Sequence, residues 1–141
     1  QVRYIVRRVD IVPNASMDLV AIKSACPVSA QRIVAVLEQM EGDELMQDTL
    51  LDHHGQYKGV EVQQWVSQHR LGNDYWRIKV FSVGDHNSPL KYRIIYAYIL
   101  PNSFYPKGSF LVLGIVHRSE FNYEHDNRYT QRFHEDMERY S

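Results

Sequence analysis

The segment VLGIVHRSEFNYE, residues 112–124, begins as sheet interior and ends as chemistry. Val112, Leu113, Ile115 and Val116 suit a buried strand. His117, Arg118, Ser119 and Glu120 follow with no Gly, Asn, Asp or Pro between, and Tyr123 comes shortly after. Strands that merely stop do so in those turn residues. This one delivers an imidazole, a guanidinium and a phenol together. The imidazole titrates near neutral pH, the guanidinium grips anionic oxygens bidentately, and the phenol can pass a proton or stack on a base.

More cations lie upstream. In YWRIKVFSV, residues 75–83, Trp76, Ile78 and Val80 alternate with Arg77 and Lys79, so the two cations share a strand face. Arg93 opens the next apolar run, YRIIYAYIL at 92–100. A hairpin sets the end of one strand beside the start of its partner, under about 5 Å away. Arg93 and the His117–Arg118 pair are therefore neighbours. Residues 75–118 hold Arg77, Lys79, Lys91, Arg93, Lys107 and Arg118 against one acid, Asp85, so this block is +5 and the remainder −6. A polyanion responds to that local field, although the whole chain sums to −1. Clustered like charges cost stability unless something anionic sits among them.

RNA fits those residue types. Its own 2′-hydroxyl can attack the next phosphate and leave a cyclic phosphate. The phosphorane needs fixed positive charge, the 2′-hydroxyl needs a base and the leaving 5′-oxygen an acid. Histidine can do either job, and a lysine or tyrosine can serve when neighbouring cations lower its pKa.

The elements that must hold these groups follow from pattern. With 141 residues, 44% of them hydrophobic and 23% charged, the chain is one ordinary globular domain, 1–141. Residues 2–12 are rich in β-formers and read as a first strand. Asn14 or Ser16 caps a helix to about Ala25, with Asp18 in its first turn. Pro27 opens a second helix, whose Ala30, Ile33, Val34, Leu37 and Met40 form an apolar stripe. Three strand-like runs, 75–83, 92–100 and 110–118, form an antiparallel meander. Residues 127–140 read as a final helix with Tyr129, Phe133 and Met137 on one stripe. The expected class is α+β: a mainly antiparallel sheet of an N-terminal strand plus the meander, two N-terminal helices and a C-terminal helix. Residues 42–74 fit none of this. Gly55 and Gly59 suggest turns, 60–66 reads equally as strand or helix, and a stretch this long between firm elements is more often functional or mobile than empty.

The ordered set YWRIKVF, KYRIIYAYI and LVLGIVHRSEFNYE after two short helices resembles the RelE/ParE toxin superfamily of toxin–antitoxin systems. The resemblance covers the helix pair and the three strands, and leaves 42–74 unexplained, as an insertion relative to the compact toxins. It implies a RelE-like fold and, in the RelE branch, metal-independent cleavage of mRNA, usually in the ribosomal A site. On that pattern Arg77 and Lys79 match the basic pair of the first meander strand, and Arg93 in RIIY matches the arginine opening the second. Arg118 and Tyr123 resemble the basic residue and tyrosine after the third, although Asn122 stands where the tyrosine falls in the best-known member. His117 resembles a histidine proton donor of other members. Arg93, His117, Arg118 and Tyr123 are thus the catalytic candidates, with Arg77, Lys79 and Lys91 for phosphate. Either His117 or Tyr123 handles the proton. A cognate antitoxin, mRNA and the ribosome would be the partners.

Other readings stand beside this one. A ParE-like toxin would use the fold to inhibit DNA gyrase without nuclease activity, and a non-toxic interaction domain would dock a partner on 42–74. Arg77 and Lys79 also suit a wet strand face, and Arg93 a structural pair with Glu120. The histidines show no recognised metal-ligand spacing. A lone cysteine, Cys26, fits a core position in a reducing, cytoplasmic setting. The N-terminal residues have no apolar run of signal-peptide type, and no run of 18 apolar residues spans a membrane.

Overall fold

A computed structural model describes residues 7–83, 85–124 and 126–141, apart from the side chains of 85–87. The first strand, β1 (Arg8–Ile11), leads directly into α1 (Pro13–Ala25). The rest of the expected first strand, up to residue 6, lies outside the described residues. Pro13 occupies the first turn of α1, where a missing N–H costs nothing. The expected caps are corrected: Val12 is the N-cap residue, and Asp18 lies beyond the first turn. Pro27 likewise starts α2 (Pro27–Gly42). Its buried stripe is Ala30, Ile33, Val36, Leu37 and Met40. Val34, expected inside, is exposed.

Residues 42–74 are folded. Asp43 caps α3 (Glu44–Thr49) by accepting the Met46 N–H at 3.2 Å. The chain then makes a short hairpin, β2 (Gln56–Tyr57) and β3 (Val60–Gln64), turning at Lys58 and Gly59, both with positive φ. One helical turn, α4 (Val66–Arg70), follows. The strand-or-helix ambiguity at 60–66 thus resolves into both, strand first. β4 (Tyr75–Ser82), β5 (Asp85–Ile99) and β6 (Ser109–His117) form the meander, and α5 (Thr130–Tyr140) closes the chain. β5 starts seven residues earlier than the apolar run beginning at Tyr92.

The class is α+β, as expected, but the sheet is mixed and has six strands instead of four, in the order β1-β6-β5-β4-β3-β2. β1 runs parallel to β6, and the other neighbours are antiparallel. The extra strands are the β2–β3 hairpin, which extends the sheet beyond β4. One sheet face carries Trp76, Ile78, Val80, Ile94 and Tyr96, all buried on the side of α1, α2 and α3. The Tyr96 hydroxyl donates to the Leu50 carbonyl at 2.6 Å. The opposite face carries Tyr75, Arg77, Lys79, Arg93, Ile95 and Gly114, by strand alternation and register. α5 covers only part of it. A Cβ on Gly114 would lie 2.5 Å from Arg132 Nη2 and 2.8 Å from Phe133 Cε1, so glycine is what lets α5 sit this close.

β1 pairs β6 only as far as Val112. Beyond it the edge of β6 is satisfied by an ion pair. Asp18 accepts the Ile115 N–H at 3.0 Å, Arg132 donates to the Leu113 carbonyl at 3.1 Å, and the two side chains meet at 2.6 Å. Asp18 thus serves a strand edge, not a helix dipole. The pair ties α1, β6 and α5 together at the strand end that positions the candidate site. No helix among the described residues is long and apolar enough to cross a membrane.

Candidate functional site

Register brings the cations into two rows on the face that α5 leaves open. In one row Gln63, Arg77, Ile95 and Gly114 stand opposite one another across β3 to β6. In the next, Glu61, Lys79, Arg93 and Val116 do the same. Neighbouring strands are about 4.8 Å apart, so the charged heads crowd. Arg118 joins them electrostatically from the end of β6.

Arg77 and Arg93 are each only 8% exposed. The Arg77 Nε donates to Gln63 Oε1 at 3.0 Å, and its Nη2 to the same oxygen. Its Nη1 is buried with no hydrogen-bond partner among the described residues. The Arg93 Nη1 donates to the carbonyls of Leu90 at 2.7 Å and Tyr92 at 3.2 Å. Burial, then Arg77 and Arg118, push the Arg93 guanidinium down from its ordinary value, with Tyr123 opposing. The Lys79 ammonium is lowered by burial first, then by Arg77 and Arg93, while Glu61 pulls it back up. Two like charges about 5 Å apart repel by about 3 kcal/mol at an effective dielectric of about 20. Four cations facing one carboxylate therefore hold a site that an anion would stabilise.

Tyr123 overhangs the rows. Its ring centroid lies 5.8 Å from Arg77 Cζ, and the Arg93 charge acts on its hydroxyl. Burial raises its pKa, and Arg77 and Arg93 offset part of that rise. The phenol therefore keeps its proton at neutral pH. Residues 65–67 fix its position. Trp65 Nε1 and Ser67 Oγ both donate to the Tyr123 carbonyl, at 3.0 and 2.7 Å. The Trp65 ring, 1% exposed, meets Tyr123 and Phe121 edge-on.

The cluster thus unites Arg77, Lys79, Arg93, Arg118 and Tyr123. It does not include His117. That residue pairs with Tyr92 and so takes the opposite sheet face from Arg93, which pairs with Val116. There it lines a cavity of about 270 Å³ with Asp18, Tyr92, Glu120 and Tyr129. Its Nδ1 accepts the Ser119 N–H at 3.1 Å and lies 2.6 Å from Ser119 Oγ. Lys91 is exposed, and its charge acts on the Cys26 thiol between α1 and α2. Glu120 meets Arg128 at 3.7 Å and the Tyr129 hydroxyl at 2.9 Å, so it is not the structural partner of Arg93. Several histidines are engaged away from the cluster: His53 accepts the Gln64 N–H, His69 meets Gln64 Nε2, and His134 meets the Tyr75 hydroxyl. His125 and the side chain of His86 lie outside the described residues.

Sequence reasoning missed Glu61, Gln63, Trp65 and Ser67. The signal was the alternation in VEVQ, with Val60 and Val62 buried and Glu61 and Gln63 on the other face. Comparison with family models, curated proteins and solved structures gives no match to this chain.

Proposed function

We propose that this chain is a metal-independent endoribonuclease toxin of the RelE type, acting on ribosome-associated mRNA in the cytoplasm and held in check by an antitoxin. The observation that carries this reading is the open cluster of Arg77, Lys79, Arg93 and Arg118 beneath a protonated Tyr123. The unpartnered Arg77 Nη1 adds a buried donor for a phosphate oxygen. Supporting it further, the chain is of the α+β class that the resemblance implies. The β2–β3 hairpin is then an addition at the sheet edge.

The chemistry runs as follows. The three guanidiniums hold the scissile phosphate and offset charge as the phosphorane forms. Tyr123 gives its proton to the leaving 5′-oxygen. His117, behind the sheet, takes no part. A gyrase-inhibiting module would need neither a buried unpaired guanidinium donor nor a tyrosine held against two arginines.

Binding tests the reading first. Single-stranded RNA that cannot be cut, with 2′-O-methyl groups throughout, should bind with an affinity that falls as salt rises. Two to four phosphates in contact correspond to a log–log slope of about −1.4 to −2.8. No binding at low salt, with or without ribosomes, would contradict the proposal.

A further inference from the structure

RNA cleavage by its own 2′-hydroxyl needs a proton acceptor, and the basic cluster is short of one. Arg77, Arg93 and Arg118 face the site as donors, Tyr123 holds its proton, and Lys79, which burial and the two arginines lower, stands opposite Glu61, whose charge pulls it back up and keeps it a cation. Gln63 Oε1 is occupied by Arg77. Glu61 remains. It stands directly across the ladder from Lys79, in the same row as Arg93. Its β2 neighbour is the uncharged Gln56, and His53 is engaged with the Gln64 N–H. Glu61 is half-buried, and among the described residues it makes no ion pair within 4 Å and no side-chain hydrogen bond. An ionised carboxylate is acceptor-only, so one on the open face with no ion-pair partner within 4 Å among the described residues has lone pairs left to receive a proton.

We propose that the β2–β3 hairpin is part of the active site and that Glu61 is its general base. The inference rests on the ribonuclease reading above. The Glu61 carboxylate takes the 2′-hydroxyl proton as the 2′-oxygen bonds to phosphorus. The bond from phosphorus to the 5′-oxygen breaks, and that oxygen leaves with the proton from Tyr123. The products are a 2′,3′-cyclic phosphate and a 5′-hydroxyl. Glu61 then releases its proton to water and Tyr123 regains one, so the cycle closes without another reagent. The hairpin does two further things for the site: Gln63 aims Arg77, and the chain leaving β3 clamps Tyr123 through Trp65 and Ser67. Residues 42–74, opaque as sequence, thus supply the groups that the meander lacks.

Single-turnover cleavage of mRNA on programmed ribosomes, for wild type, Glu61→Gln and Glu61→Asp, tests this. Affinity for the 2′-O-methyl RNA and melting temperature are read in parallel. Glu61→Gln should cut about 100-fold more slowly, bind the RNA as tightly or more tightly, and melt as wild type does. Glu61→Asp keeps the carboxylate and should recover at least tenfold of the loss. Glu61→Gln cutting within threefold of wild type would overturn the role of Glu61 and leave the ribonuclease reading standing. So would a loss shared equally by both variants and accompanied by lost RNA affinity, which is the mark of a structural residue. A wild-type protein that cuts nothing would overturn both, and the wild-type reaction alone reveals that case.

Discussion

Arg93→Ala is expected to lower RNA cleavage about a thousandfold and to relieve growth arrest in bacteria expressing the chain. Arg93 lies at the centre of the cluster, opposite Lys79 and beneath Tyr123. Removing one fixed donor from a preorganised anion site costs about 10²–10³ in rate. Arg93 also acts electrostatically on the Tyr123 hydroxyl, so the upper end applies. The fold should survive. Among the described residues, the backbone partners of Arg93 are the local carbonyls of Leu90 and Tyr92, and losing it relieves repulsion on Lys79, Arg77 and Arg118. A melting temperature within a few degrees of wild type would separate lost chemistry from lost structure. Arg93→Lys should recover little, because an ammonium lacks the planar fork that grips two oxygens. Wild-type growth arrest by Arg93→Ala would remove Arg93 from the site.

Tyr123→Phe and His117→Ala are expected to diverge. The first should slow cleavage about 100-fold or more, the ordinary contribution of a general acid. The second should stay within about threefold, under 1 kcal/mol of transition-state stabilisation. The reason is the sheet. Tyr123 lies over Arg77 and Arg93, whereas His117 faces α1 across the strand from them. Tyr123→Phe keeps the ring against Trp65 and Phe121, so binding of uncut RNA should change little. Single-turnover rates for both variants make the comparison. The reverse order of effects would mean that the RNA approaches the helix-covered face, and the cluster would lose its catalytic role.

His117 illustrates what a strand pattern can and cannot convey. Alternation alone sets His117 and Arg118 on opposite faces, and β6 stays regular from Gly114 to His117. The convergence of Arg77, Lys79, Arg93 and Arg118 was legible for the same reason: it needed only period two and hairpin pairing. Tyr123 was nameable from its type but not placeable, because its position comes from Trp65 and Ser67, more than 50 residues away.

Residues 42–74 were illegible because their elements are too short to show a period: α3 has six residues, β2 two and α4 five. Their order comes from tertiary bonds. Gln47, fully buried, accepts the Arg7 N–H and donates to the carbonyls of Arg7 and Met40. The early part of β5 was hidden by Asp85, Asn87 and Pro89, turn-forming types that read as loop. It is a strand because the register slips between Lys79 and Ser82, which lets Pro89 sit in the ladder opposite Phe81. In α2, Val34 and Val36 exchanged places: the stripe packed on β4 runs through Val36, and Val34 looks outward.

The ends of the RNA produced by wild-type protein test the central claim most directly. The reaction is run on programmed ribosomes with a metal chelator present, using mRNA that carries either ribose or a single 2′-deoxyribose at the cut position. The account predicts a 2′,3′-cyclic phosphate and a 5′-hydroxyl from the all-ribose message, and no cut at the 2′-deoxy position. Intact all-ribose RNA, or cutting that continues at the 2′-deoxy position, would contradict it.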